Sequence, residues 1–131
     1  MKLSHIRLLV RDYIACLRFY RDVMELEVHW GDENGTYISF NTGASLLALF
    51  PRTKMSEAVG EADKPLASGH QPSHCLTFAT DDVDAAYERL RTKDVEFINA
   101  PHDRKSWGIH CFHFFDPDGN LIEINQERDW D

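Results

Sequence analysis

Three residues far apart in the sequence could together bind one divalent metal ion. His5 and His74 each begin an apolar segment, and Glu123 lies inside the apolar segment LIEIN at 121–125. An ionised carboxylate in such a segment is costly unless a cation or hydrogen-bond donors reach it. Two imidazoles and one carboxylate leave coordination positions open for water and substrate, a set that suits Fe2+, Mn2+, Ni2+ or Zn2+. The sequence therefore predicts a metal site formed by His5, His74 and Glu123.

Each of these residues also has a structural interpretation. A single strand histidine is more often a packing residue than a ligand, and Glu123 could form an ion pair with Arg7. Arg7 is two positions from His5 and so shares its strand face, where the guanidinium could bind a carboxylate, a phosphonate or another substrate oxyanion. Arg7 is therefore a candidate catalytic residue, and the ion pair is its alternative role.

The segments that must position these side chains follow the same order twice. In each half an apolar strand precedes an aspartate that can cap an amphipathic helix, and three short strands follow, separated by turn-forming residues. This order predicts two βαβββ modules. The predicted strands are, in chain order, 3–10, 26–30, 36–41, 45–50, 74–80, 95–98, 109–115 and 120–126.

The two modules predict one α+β domain over residues 1–131. Module one spans 1–50, a connecting loop spans 51–73, and module two spans 74–131. The loop carries Arg52, Lys54 and Lys64, and it is either a lid or a solvated linker. Because one βαβββ module leaves a sheet face uncovered, the two should pair their sheets around a hollow that binds metal and ligand.

The repeat can be followed along the sequence. His5 and His74 are 69 positions apart, and the two helix-capping aspartates are 70 positions apart. When the last strands of the two modules are aligned on the glycines of their preceding turns, Glu123 is matched by Leu47. The repeat thus predicts a site with three ligand positions and one apolar position.

Two motifs make the sequence resemble the vicinal oxygen chelate superfamily, which includes glyoxalases, bleomycin-resistance proteins and extradiol dioxygenases. They are FFDPDGNLIE at 114–123 and FYRDVM at 19–24, and the resemblance covers nearly the whole chain. It implies the glyoxalase/bleomycin-resistance/dioxygenase fold, with His5, His74 and Glu123 binding a metal that acts as a Lewis acid on a substrate chelating through adjacent oxygens. Glyoxalase I usually has a glutamate ligand at the position of Leu47, so the resemblance favours dioxygenase-like or fosfomycin-resistance-like chemistry over standard glyoxalase I.

The strand before the Asp-Pro-Asp-Gly turn contains a further candidate. Cys111, His113 and Phe115 alternate onto one face of this strand. In dioxygenase-like relatives the residue at the position of His113 points into the hollow, so the resemblance implies that His113 is a catalytic acid/base. A packing or surface histidine is the alternative. Tyr37 and Trp107 could line the pocket, although aromatic residues in short strands are more often core residues.

The remaining histidines and the cysteines give no specific signal. His102 and His110 belong to no motif. The three cysteines, Cys16, Cys75 and Cys111, are odd in number and contain no CxxC pair, which argues against a disulfide framework and against a cysteine-only zinc site. They are predicted to be reduced, buried thiols.

Composition restricts the partners. The net charge of −8, from 14 Lys and Arg against 22 Asp and Glu, disfavours nucleic acid and anionic lipid. No apolar run approaches the ~18–20 residues of a membrane span, and no signal sequence is evident. We therefore expect a cytoplasmic protein with a small-molecule substrate, no nucleic acid and no membrane partner.

Together these features predict a divalent-metal-dependent enzyme, either a lyase, a dioxygenase or a transferase. The alternative is a metal-free small-molecule-binding protein similar to the bleomycin-resistance proteins. Those relatives typically lack the ligand triad, so the presence of all three residues favours the enzyme. A homodimer is implied by the resemblance, and the site could form within one chain or across the dimer.

Overall fold

Two compact units make up the computed structural model, which describes residues 2–60 and 74–129. The first of these ranges lies in the first unit and the second range in the second unit. Across these ranges the chain forms nine β-strands and three α-helices, so the α+β class predicted from the sequence is confirmed. Among the described residues no helix is both long and apolar enough to span a membrane.

The first unit is a four-stranded sheet with the strand order β1-β4-β3-β2. β1 and β4 are parallel, whereas the other neighbours are antiparallel. A π-helical turn at Phe19–Val23 continues the first helix. The elements are β1 (His5–Val10), α1 (Tyr13–Arg18), β2 (Glu27–Gly31), β3 (Ile38–Asn41), β4 (Leu46–Pro51) and α2 (Arg52–Ala58).

Alternation along β1 and β4 separates the two faces of this sheet. One face is buried and packs with α1, which begins where the Asp12 carboxylate accepts a hydrogen bond from the Ala15 amide at 3.0 Å. The opposite face carries His5 and Arg7, as the sequence predicts. The buried face includes Leu8, Val10, Leu47 and Leu49.

The second unit repeats this plan with one additional strand. Its sheet has the order β5-β9-β8-β6, and a short strand, β7, also pairs with β8. β5 is parallel to β9, and the Asp82 carboxylate caps α3 by accepting from the Ala85 amide at 3.0 Å. The elements are β5 (Cys75–Ala79), α3 (Val83–Leu90), β6 (Glu96–Phe97), β7 (His102–Arg104), β8 (Ile109–Phe115) and β9 (Leu121–Glu127).

The Asp-Pro-Asp-Gly motif forms the turn that leads into β9. Asp116 is buried, and its carboxylate accepts hydrogen bonds from the backbone amides of Asp118 at 2.9 Å and Asn120 at 2.8 Å. The Asn120 side-chain amide donates to the same carboxylate at 2.7 Å. Gly119 has φ +85°, a conformation that costs glycine little. The motif thus sets the direction in which β9 starts, two residues before Glu123.

The structure differs from the sequence prediction in four places. Part of the predicted loop at 51–73 is helical, since α2 occupies Arg52–Ala58, and residues 61–73, which include Lys64, lie outside the described residues. The short strand β7 was not predicted. Cys75 is exposed, whereas Cys16 and Cys111 are buried as expected. Trp107 is exposed and is not a core residue.

Candidate functional site

Glu123 lies in β9 of the second unit, and the two neighbouring strands are β5 and β8. In the register of the sheet it pairs with Thr77 of β5 and with His113 of β8. Its side chain is 13% exposed. The carboxylate accepts hydrogen bonds from His113 Nε2 at 2.9 Å and from Asn125 Nδ2 at 2.9 Å. A nearly buried acid is therefore held by an imidazole and an amide.

The orientation of His113 follows from its contacts with Asn99. The Asn99 side-chain oxygen accepts a hydrogen bond from the His113 backbone amide at 2.7 Å, and the Asn99 Nδ2 lies 3.0 Å from His113 Nδ1. Since Nδ2 is a donor, Nδ1 is the acceptor and the proton of the neutral ring is on Nε2, facing Glu123. The same Asn99 oxygen is 3.3 Å from Nδ1, so it can also accept from the other tautomer.

His74 lies one residue before β5 and is exposed. Its Nε2 is 3.3 Å from the side-chain oxygen of Asn120. The next residue, Cys75, pairs with Leu121, and Thr77 pairs with Glu123, so strand alternation gives Cys75 the face of Glu123. Loss of hydration raises the pKa of the Cys75 thiol, and the charge of Glu123 raises it further. Of the two neighbouring residues, Cys75 is the one that shares a face with Glu123.

His5 and Arg7 occupy one face of the first sheet. His5 is partly buried, and its Nδ1 lies 2.9 Å from Ser4 Oγ. Arg7 is exposed, with its guanidinium carbon 5.2 Å from the ring centroid of Tyr37 and 5.9 Å from that of Phe50. Cation–π contacts of this kind hold the guanidinium over the two rings. Tyr37 thus contributes to the surroundings of Arg7.

The alignment of Glu123 with Leu47 is wrong by one position. His5 pairs with Leu46 in the first sheet, just as Cys75 pairs with Leu121 in the second, so the position corresponding to Glu123 is Ala48. Leu47 is 4% exposed and lies on the opposite, helix-packed face. Gly43 precedes the first residue of β4 by three positions, whereas Gly119 precedes the first residue of β9 by two, which displaces an alignment made on the turn glycines by one position. Ala48 also lacks a ligand atom, so the site has no carboxylate there.

Sequence reasoning missed a group of side chains beside His113. His102 on β7 pairs directly with Cys111 on β8, and ligand atoms of His102, Cys111 and His113 all lie within 4.8 Å of one another. Burial raises the pKa of the Cys111 thiol, with a further increase from Glu123. Alternation predicted that Cys111 and His113 share a face, but a three-residue strand gives too little periodicity to reveal the third member.

His110 lies on the other face of β8 and has a structural role. It is buried, with Nδ1 2.7 Å from an Asp103 carboxylate oxygen and Nε2 3.0 Å from an Asp84 carboxylate oxygen. Arg128 lies 3.4 Å from the same Asp103 oxygen. These contacts connect α3, β7 and the segment after β9, and they do not involve Glu123.

Comparisons with known proteins agree with this architecture. Residues 2–124 match the family model of the Glyoxalase/Bleomycin resistance protein/Dioxygenase superfamily. The uncharacterized protein YraH of Bacillus subtilis is 43% identical over 124 residues, covering 95% of this chain and 97% of that protein.

Solved structures show the same fold. A glyoxalase/bleomycin resistance protein/dioxygenase from Nocardioides has a TM-score of 0.80 at 23% identity, covering 100% of this chain and 86% of that chain. The lactoylglutathione lyase of Agrobacterium tumefaciens has a TM-score of 0.72 at 25% identity, covering 94% and 91%. The resemblance inferred from the two motifs is confirmed, and the chain belongs to the glyoxalase/bleomycin resistance protein/dioxygenase superfamily.

Proposed function

We propose that the protein is a divalent-metal-dependent enzyme acting on a small substrate that chelates the metal through adjacent oxygens. The observation that carries this proposal is the state of Glu123. Its carboxylate is 13% exposed, and its hydrogen-bond partners in the described chain are the imidazole of His113 and the amide of Asn125. Neither partner carries a permanent positive charge, so a divalent cation would supply the compensation that a buried carboxylate requires.

The donor set fits such an ion. His5, His74 and Glu123 are the proposed ligands. Cys75 is the alternative to His74 at the start of β5, because it shares the face of Glu123. The bound ion, Fe2+, Mn2+, Ni2+ or Zn2+, would supply Lewis-acid polarisation of the substrate oxygens.

His113 is the proposed acid/base. In the neutral ring the Nε2 proton faces Glu123, and Asn99 can hydrogen-bond to Nδ1 in either tautomer. The side chain can therefore release a proton at Nε2 and take one up without losing its orientation. Arg7 is the proposed substrate-binding residue, since its exposed guanidinium, held over Tyr37 and Phe50, can bind an anionic group.

The reaction class is narrowed by Ala48. Because this position carries no carboxylate, the proton-transfer base of standard glyoxalase I is missing there, and we favour dioxygenase-like or fosfomycin-resistance-like chemistry. A lyase activity like that named for the Agrobacterium protein is also among the reactions to test. We further propose a homodimer in the cytoplasm, where the three cysteines would stay reduced as thiols. Catechols, fosfomycin with a thiol, and glutathione hemithioacetals are the substrates to screen.

Metal binding tests the proposal. Wild-type protein should bind about one equivalent of at least one of the four ions at the site, and Glu123→Gln should weaken that binding about 100-fold or more. Glu127→Gln is the matched control, because Glu127 is an exposed carboxylate on the same face of the same strand. Its affinity should equal that of the wild type.

Two results would overturn this function. Binding of less than about a tenth of an equivalent of every ion would leave a metal-free small-molecule-binding protein as the function. Equal affinity in the Glu123→Gln and Glu127→Gln variants would show that Glu123 only orients His113.

A further inference from the structure

We propose that His102, Cys111 and His113 form a second metal site, specific for a zinc-like divalent cation and contained entirely in the second unit. The site goes beyond the proposed function, because it uses none of the ligands proposed for the first ion. It shares only His113, the proposed acid/base, which can act in that role when no cation occupies the second site. One ring nitrogen of each histidine and the Cys111 sulfur lie within 4.8 Å of one another. Two imidazoles and one thiolate are ligands typical of Zn2+.

The sheet itself brings the three side chains together. His102 and Cys111 are directly opposed on the antiparallel strands β7 and β8, and His113 follows Cys111 by two residues on the same face. Side chains opposite each other across strands, and side chains two residues apart in a strand, are the closest neighbours on one face. The His102 and His113 ring centroids are 5.9 Å apart.

The distances require only small side-chain movements for coordination. Tetrahedral zinc with its usual Zn–N and Zn–S bond lengths places a nitrogen and a sulfur ligand about 3.6 Å apart. The Cys111 sulfur and His102 Nε2 are 3.9 Å apart. Cys111 is 0% exposed, and the two histidines are partly buried, so the sulfur is shielded while the imidazoles reach solvent. Three protein ligands leave a fourth position open for water or another small ligand.

His102 is already oriented as a ligand. Its Nδ1 lies 2.8 Å from the carbonyl oxygen of Ala100, an acceptor, so Nδ1 carries the proton and the lone pair is on Nε2, 3.9 Å from the Cys111 sulfur. Metal-binding histidines commonly donate their second ring nitrogen to a carbonyl or carboxylate in this way. For His113, the tautomer protonated on Nδ1 can donate to the Asn99 oxygen, 3.3 Å away. A cation at Nε2 would then replace the hydrogen bond between Nε2 and Glu123.

Arg104 is placed to compete with the cation. Its Nε donates to His102 Nε2 at 3.2 Å, and its guanidinium carbon lies 4.6 Å from the ring centroid of Trp107. A cation at His102 therefore displaces this hydrogen bond, and Arg104 turns toward solvent, where it is already exposed. Removing the competing charge in Arg104→Met should raise the affinity severalfold. Binding also releases the thiol proton of Cys111 to the buffer.

Cobalt absorption spectroscopy tests this site independently of any activity. Co2+ bound by a thiolate shows a near-ultraviolet charge-transfer band that Co2+ bound only by nitrogen and oxygen lacks. The starting protein is Cys75→Ser, which removes the other thiol of this sheet, and we expect it to keep the band. Adding Cys111→Ser should abolish the band.

The matched control adds Cys16→Ser to the same starting protein. Cys16 is as fully buried as Cys111 but lies in α1 of the first unit, so this variant should keep the band. His102→Ala, at a partly buried position of the short strand β7, gives a second route to loss of the band if Cys111→Ser does not fold. Absence of the band in Cys75→Ser, or its persistence after Cys111→Ser or His102→Ala, would overturn the proposal.

Discussion

Two adjacent residues, His74 and Cys75, are the candidate ligands at the start of β5. His5 and His74 are 69 positions apart, but the structure matches His5 with Cys75, at the separation of 70 that also relates the two helix caps. Of the two neighbours, only His74 has an imidazole, whereas only Cys75 shares the face of Glu123. Since a shift of one residue in a strand reverses the face, the two assignments exclude each other within regular strand geometry.

Single substitutions at these two positions decide between them. Because Cys75 lies on the face of Glu123, we expect Cys75→Ala to weaken Mn2+ or Ni2+ binding about tenfold or more, and His74→Ala to change it by less. Isothermal titration calorimetry on both variants measures this difference. A larger loss in His74→Ala would establish the assignment made from the sequence, with the strand twisting at its first residue.

At the scale of elements, sequence patterns predicted the helices and strands that have a long periodic pattern or are bounded by strong turn signals. Both capping aspartates, the helices α1 and α3 that they cap, and the strands at the module ends were predicted within about three residues. The short strand β7 and the helix α2 were not, because three strand residues or a single helical segment within a polar stretch produce no repeated pattern. Sequence reasoning selected Glu123 and His113, whose side chains the structure brings into contact, whereas Asn99 and His102 required tertiary contacts to be recognised.

The capping of α3 gives a prediction about this element. Asp82 accepts a hydrogen bond from the Ala85 amide at 3.0 Å, while the adjacent Asp81 is exposed. Asp82→Ala should lower the free energy of unfolding by about 1 kcal/mol, because it leaves a helix N-terminal amide without its partner. Asp81→Ala should change it by less than about 0.5 kcal/mol. Urea unfolding of the two variants provides the measurement, and equal losses would contradict the capping role.

For the whole molecule, the acidic charge complicates any experiment with cations. The net charge of −8 attracts divalent ions to the surface in general, without a defined site. Such attraction between exposed charges is largely screened beyond about 8 Å at physiological ionic strength, whereas binding by partly buried ligands is much less affected. Cation effects on stability that persist in salt therefore report on specific sites.

Thermal unfolding with and without Zn2+ uses this difference. An ion at 100 times its Kd that binds only the folded chain adds about 2.7 kcal/mol, which for a chain of this length raises Tm by roughly 10 °C. At about 0.15 M salt we expect Glu123→Gln and Cys111→Ser each to lose part of the increase. The double variant should lose nearly all of it, because the two sites use different ligands apart from the contact between His113 and Glu123. An unchanged increase in the double variant would assign the stabilisation to the acidic surface and would contradict both metal sites.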